Sequence, residues 1–144
     1  MLTSRPKYKY ILGGELTMNK FSVTLNNSLV GPAYFSNVAY ADFGQLKNLQ
    51  TTFHSRLLTD VSLSYQISKD ASISVMVNNI FNLYPKWKIQ ALNADGAAFL
   101  KDDEQRKLLI GDLTFNGRYQ YQTYDGSHIN QLGTTFLGQL TYKF

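Results

Sequence analysis

With 144 residues the chain has room for one domain, and 14% aromatic residues, ten Tyr and nine Phe among them, against 17% charged ones favour β-structure. The absence of Cys excludes a disulfide framework and a thiolate metal site. Two histidines, His54 and His128, are too few for a His-rich one, so no metal, cofactor or thiol enzyme chemistry is expected. The net charge of +4 is dispersed over short pairs such as Lys7 and Lys9, Lys86 and Lys88, or Arg106 and Lys107, without the basic stripe and interleaved aromatics of a nucleic-acid surface.

No run of ~18 apolar residues encodes a transmembrane helix, and Met1–Pro6 carries neither an apolar core nor a small-residue cleavage site of a secretory signal. The first strand is expected over 7–18, after Pro6, which belongs at a strand start. Tyr8, Tyr10, Leu12, Gly14, Leu16 and Met18 share one face, and Lys7, Lys9, Gly13, Glu15 and Thr17 the other, with Ile11 as the exception. Asn19-Lys20 is a connection short enough for a tight hairpin. A second strand is expected over 21–34, with Phe21, Val23, Leu25 and Leu29 opposed to Ser22, Thr24, Asn26 and Ser28, ending or bending near Pro32. A long connection over 35–56 carries Tyr40 and Phe43 among polar residues.

The clearest alternation lies in the next hairpin. Val61, Leu63, Tyr65 and Ile67 alternate with Asp60, Ser62, Ser64 and Gln66 in a strand over 57–67, and Ile73, Val75 and Val77 alternate with Ser72 and Ser74 in a strand over 72–82. The four-residue polar turn between them makes the strands antiparallel neighbours with one apolar face. The other face is Ser, Gln and Asp rather than Lys and Glu, which suits the wet interior of a membrane barrel.

The hairpin ends in Asn78-Asn79-Ile80-Phe81-Asn82-Leu83-Tyr84-Pro85, where Asn78, Asn79, Phe81, Asn82, Tyr84 and Pro85 carry a resemblance. The stretch is similar to the NxFNxxYP motif in the next-to-last barrel strand of TonB-dependent outer-membrane receptors. A second long connection over 86–130 follows, too long for plain loop. Within it Asp102–Lys107 reads as a solvated turn or short helix, and Leu108 to Tyr124 as an extension of strand. The last strand, over 131–144, sets Phe136, Gly138, Leu140, Tyr142 and Phe144 against Thr135, Gln139, Thr141 and Lys143. Its terminal Phe144 with Phe136, Leu140 and Tyr142 resembles the signal that the barrel-assembly machinery reads. The segment 116–121 and Gln131-Leu132-Gly133 are also similar to the close of these receptors.

Five strands cannot close a barrel on their own. The resemblance therefore implies an all-β chain of antiparallel strands forming part of a transmembrane β-barrel, about the last five of twenty-two. It further implies a C-terminal piece of a longer receptor in the bacterial outer membrane, contacting lipid and an extracellular solute such as a ferric siderophore, haem, cobalamin or glycan. TonB would be reached only through N-terminal parts outside this sequence. Tyr40, Phe43, Trp87, Tyr121 and Tyr124 are the candidate solute contacts, with the membrane interface as their other reading. Tyr8, Tyr10, Tyr34, Tyr65, Tyr142 and Phe144 read as interface aromatics.

Other residues carry plainer readings. Asn78, Asn79 and Asn82 fit ladder-end satisfaction of backbone groups better than a ligand site. Asp102-Asp103-Glu104 lacks the spacing of a calcium loop. Asp60 has no nucleophile elbow near it, and Gly13-Gly14 no following helix to hold phosphate. Two rival functions stand beside the receptor: a small non-transporting outer-membrane barrel needing three more strands from 87–130, and a soluble β-barrel or sandwich that binds a small ligand. Alone in water, a sheet with two open edges and an apolar face is not expected to be a stable monomer.

Overall fold

The computed structural model describes residues 5–37, 39–118 and 132–144. The expected solute contacts Tyr121 and Tyr124, with His128, the segment 119–121 and the expected strand start at Gln131, lie outside the described residues. The fold is mostly β, built of antiparallel sheets of five and three strands that do not close into a barrel, with a few short helices. The chain forms two compact units: Lys9–Val30, Arg56–Tyr84 and Leu132–Phe144 make one, and Met1–Tyr8, Gly31–Ser55 and Pro85–Gln131 the other.

The first unit is the five-stranded sheet. Its strands are β1 (Lys9–Met18), β2 (Phe21–Val30), β5 (Arg56–Gln66), β6 (Ala71–Asn78) and β8 (Thr135–Tyr142), paired in the order β1-β2-β5-β6-β8, every pair antiparallel. Asn19 takes a left-handed φ of 50°, which lets a two-residue turn join β1 to β2. The turn from β5 to β6 is closed by the amides of Ile67 and Ser68 donating to the Ala71 carbonyl at 2.9 and 3.1 Å.

Register carries one face across all five strands. Leu16 opposes Val23, Val23 opposes Leu63, and Leu63 opposes Val75, which in turn opposes Gly138. One row on, Met18, Phe21, Tyr65, Ile73 and Leu140 align in the same way. A slip of one residue in any pair would throw a whole strand's apolar set onto the opposite face, so the alternation itself fixes the pairing. The other face carries Thr17, Ser22, Ser64, Ser74 and Gln139 in one continuous row. Glu15, the carboxylate of β1 on this face, is held by the Ser22 hydroxyl at 2.6 Å.

The second unit holds a three-stranded sheet in the order β3-β4-β7, formed by Ala33–Phe35, Leu49–Phe53 and Trp87–Ala91, with helices α1 (Ala39–Asp42), α2 (Ala94–Lys101) and α3 (Asp103–Leu113). Tyr40, Leu49, Leu109 and Leu113 make its buried core, with Phe43, Trp87, Ile89, Phe99 and Leu100 packed around them. A second cluster joins Ala33 and Phe53 to Phe35 and Trp87. The Asn93 side chain caps α2 by accepting from the Gly96 amide at 2.9 Å. Asp102 caps α3 by accepting from the amides of Glu104 and Gln105 at 3.0 and 3.1 Å. Gly96 is buried where a β-carbon would meet the Asn48 backbone and lie 3.2 Å from Leu49 Cδ2, so α2 sits against this segment only because the side chain is missing.

Several expectations are corrected here. The chain is not all-β. The strand expected over 21–34 ends at Val30, because Pro32 lacks an amide to continue the ladder, and Ala33–Phe35 pairs instead with Thr51–Phe53. The connection 35–56 contains α1 and β4. The strand expected over 72–82 leaves its ladder at Asn78, where Asn79 and Asn82 both take a φ of 53°. Leu108 to Leu113 is helical rather than extended. Leu109 and Leu113, four residues apart, stack on one helix face into the core, and left-handed Phe115, Asn116 and Gly117 follow the helix end.

Candidate functional site

The residues that carry the motif Asn78–Pro85 form a polar knot where β6 leaves the sheet. The Asn79 side chain makes a reciprocal pair with Leu83: its Nδ2 donates to the Leu83 carbonyl at 2.7 Å, and its Oδ1 accepts from the Leu83 amide at 2.9 Å. The Asn79 amide donates to Asp60 Oδ1 at 2.7 Å, and the Ile80 amide to the Thr59 carbonyl at 2.9 Å, which fastens the turn to β5. On the other side Thr134 Oγ1 donates to the Asn79 carbonyl at 2.8 Å, the Thr134 amide to Asn82 Oδ1 at 3.1 Å, and Asn78 Nδ2 to Thr135 Oγ1 at 3.3 Å, which fastens it to the start of β8.

The sequence accounts for this arrangement. Asparagine tolerates the left-handed region and offers both a donor and an acceptor on a short side chain, so two of them make a tight turn whose backbone groups are satisfied locally. Gly133, with a φ of 73°, approaches so closely that a β-carbon would stand 2.6 Å from Tyr84 Oη. Arg56 Nε donates to the Tyr84 carbonyl at 3.1 Å, tying the exit of the motif back to the start of β5. Asn79 is 5% exposed, so its polar atoms are consumed within the turn and are not presented to a ligand. Phe81, by contrast, is 64% exposed. Pro85 is fully buried in the second unit.

Of the candidate solute contacts, Tyr40 is corrected outright. It is fully buried, and its hydroxyl is hydrogen-bonded to Thr51 Oγ1, so it is a core residue of the second unit. Phe43 packs edge-on against Phe99 with ring centroids 6.0 Å apart, and Trp87 packs against both core clusters. Trp87 also lines an open groove of about 380 Å³ with Lys88, Ile89, Leu100, Arg106 and Ile110. Arg106 there is paired to Asp103 at 2.7 Å. Phe136, Leu140 and Tyr142, expected from the resemblance as an assembly signal, lie on the apolar face of β8 and are exposed, and Phe144 meets Tyr142 edge-on at 5.1 Å. Among the described residues no three His, Asp or Glu side chains converge to hold a metal ion.

Burial raises the Tyr40 phenol above its ordinary value near 10, with the Thr51 hydrogen bond as the smaller, opposing influence. The protonated phenol is thus favoured more in the folded than in the unfolded chain. Its contribution is complete below pH ~10 and is lost as pH rises from there toward the folded value. The denaturation midpoint of the second unit should therefore fall more steeply between pH 9 and pH 11 in the wild-type protein than in Tyr40→Phe. Parallel slopes in a chemical-denaturation series would show that the phenol is not held in this way.

Set against family models, curated proteins and solved structures, the chain shows no match.

Proposed function

We propose that the chain forms part of the barrel wall of a TonB-dependent outer-membrane receptor, a transporter that takes up a scarce solute with energy delivered by TonB. The five-stranded sheet would be the wall, set in outer-membrane lipid after insertion by the barrel-assembly machinery. As the resemblance implies, the long connections over 35–56 and 86–130 would be external loops that meet the solute. TonB would act through parts of the receptor outside this sequence. No bond is made or broken by the residues of this chain in that role.

The observation that carries the reading is the division of the sheet into two unlike faces. Leu12, Leu63, Phe136 and Leu140 are 76, 53, 75 and 71% exposed on one face of an otherwise well-paired sheet, an arrangement that costs stability in water and gains it in lipid. The opposite face is mainly hydroxyl- and amide-bearing, as a wet lumen requires, with Ile11, Leu58, Met76 and Leu137 as apolar exceptions. β1, β2 and β5, of ten, ten and eleven residues, match the nine to eleven of a tilted membrane-crossing strand, and β6 and β8 have eight each. Aromatic pairs stand at the short-turn end, Phe21 with Tyr65 at 4.6 Å and Tyr142 with Phe144, where an interfacial belt belongs.

Topology also weighs against the small eight-stranded barrel. The span Trp87–Leu113, needed for three further wall strands of an eight-stranded barrel, holds one short strand of another sheet and two helices.

The test uses tryptophan as a depth probe, since Trp87 is the single Trp and replacing it by Phe leaves a silent background. In vesicles of brominated phosphatidylcholine, Leu63→Trp should be strongly quenched and Ser64→Trp, one residue on, should not. Equal quenching at the two positions, or none at Leu63→Trp, would sink the wall reading.

A further inference from the structure

We infer that the short-turn end of the five-stranded sheet is a binding surface for the headgroup phosphates of anionic phospholipid, carried by Lys20, Lys69 and Lys143. The inference rests on the membrane reading above and adds to it a leaflet and a lipid class.

Hydrogen bonds bring the three lysine-bearing segments to one rim. The Gln66 amide donates to the Lys20 carbonyl at 2.8 Å, and Lys20 Nζ donates to the Ile67 carbonyl at 3.4 Å. The Lys143 amide donates to the Asp70 carbonyl at 2.8 Å, and Lys69 sits in the turn between these two links. All three lysines are exposed, and Asp70, half-buried in the same turn, is the one acidic side chain in the stretches 18–22, 64–72 and 139–144.

Placement beside the aromatic rim gives the patch its occupant. Phe21, Tyr65, Tyr142 and Phe144 belong where acyl chains give way to headgroups. Lys20 stands one residue beyond Phe21, Lys143 between Tyr142 and Phe144, and Lys69 in the turn past Tyr65, heights from which an ammonium reaches the phosphate layer with its alkyl stem laid along the apolar surface. Lys20 spends one of its three donors on the Ile67 carbonyl and keeps two for phosphate oxygens. The attraction is that of fixed cations for a negatively charged leaflet, and it weakens with salt.

The experiment is flotation of the full chain with vesicles of phosphatidylcholine alone and of phosphatidylcholine with about one-third phosphatidylglycerol. Wild-type chain should bind both and prefer the anionic vesicles. In the triple variant Lys20→Gln, Lys69→Gln, Lys143→Gln the preference should fall on the order of 100-fold at low salt, with binding to neutral vesicles kept. The control Lys47→Gln, Lys101→Gln, Lys107→Gln removes the same charge from exposed positions of the second unit and should keep the preference. Equal loss in both triples would assign the effect to net charge and overturn the surface. Equal binding of wild-type chain to both vesicle types would also overturn it while leaving the membrane wall in place. Lysine-dependent binding to anionic vesicles with none to neutral ones would uphold the surface and sink the wall.

Discussion

Asn79→Ala is expected to destabilise the five-stranded sheet by about 2–4 kcal/mol, enough to lower its denaturant midpoint sharply in detergent. The side chain answers both backbone groups of Leu83, and truncation leaves that amide and carbonyl without their partner in a largely enclosed turn. Alanine also takes up a φ of 53° less readily than asparagine. Two further variants separate these causes. Asn79→Gly accepts the backbone angle but not the hydrogen bonds, and should recover only a fraction of the loss. Asn79→Asp keeps an acceptor for the Leu83 amide and should fall between. A midpoint unchanged in all three would mean that the turn is held by the strands around it and the knot is incidental. The readout should include protection of the β8 amides from exchange, since Thr134 is bonded both to the Asn79 carbonyl and to Asn82.

The five strands of the larger sheet were legible in the sequence because their signal is local. Val61 to Ile67 alternates without interruption and Ile73 to Val77 does so apart from Met76, and the turns at Asn19-Lys20 and Ser68–Ala71 are short enough to dictate who pairs with whom. What escaped was decided at long range. Tyr40 lies among polar residues and reads as an exposed loop aromatic, and only Leu49, Leu109 and Leu113, the last two far along the chain, bury it. Ala33–Phe35 follows Pro32 so closely that it reads as the tail of β2, whereas its partner is Thr51–Phe53. Leu108-Leu109-Ile110 is a short apolar run that periodicity alone cannot assign to helix or strand. Asp102 followed three residues later by Gln105 is a helix-start pattern that does assign it, and it was available in the sequence. The roles of Asn79 and Asn82 follow from residue chemistry, but Thr134 as their partner across the gap from β6 to β8 does not.

Leu63→Arg should abolish stable assembly into a membrane, while Ser62→Arg, on the adjacent residue of the same strand, should leave it largely intact. Leu63 is the eighth of the eleven residues of β5, two residues before Tyr65, between Val23 of β2 and Val75 of β6 in a row of aliphatic neighbours that offers no counter-ion. In the proposed wall an arginine on the lipid side would cost about 2–4 kcal/mol at the midplane and less toward either interface, and from Leu63 its guanidinium would have to pass the Tyr65 row to find water. Ser62 faces the other way, between Thr24 and Met76, on the face that the proposed wall would turn to the lumen. The two variants have the same charge and the same backbone context, so a difference between them isolates the face. It is measured as the carbonate-resistant fraction of chain in isolated outer membranes. A soluble sandwich would also reject Leu63→Arg, because a core rejects charge as lipid does, but its wild-type chain would never enter the carbonate-resistant fraction. Wild-type chain in that fraction, Ser62→Arg beside it and Leu63→Arg absent from it would be the pattern of a wall with lipid on one side and water on the other. The reverse pattern, with Leu63→Arg retained and Ser62→Arg lost, would place the lumen on the aliphatic face and overturn the orientation of every strand, since register couples the face of each to its neighbours.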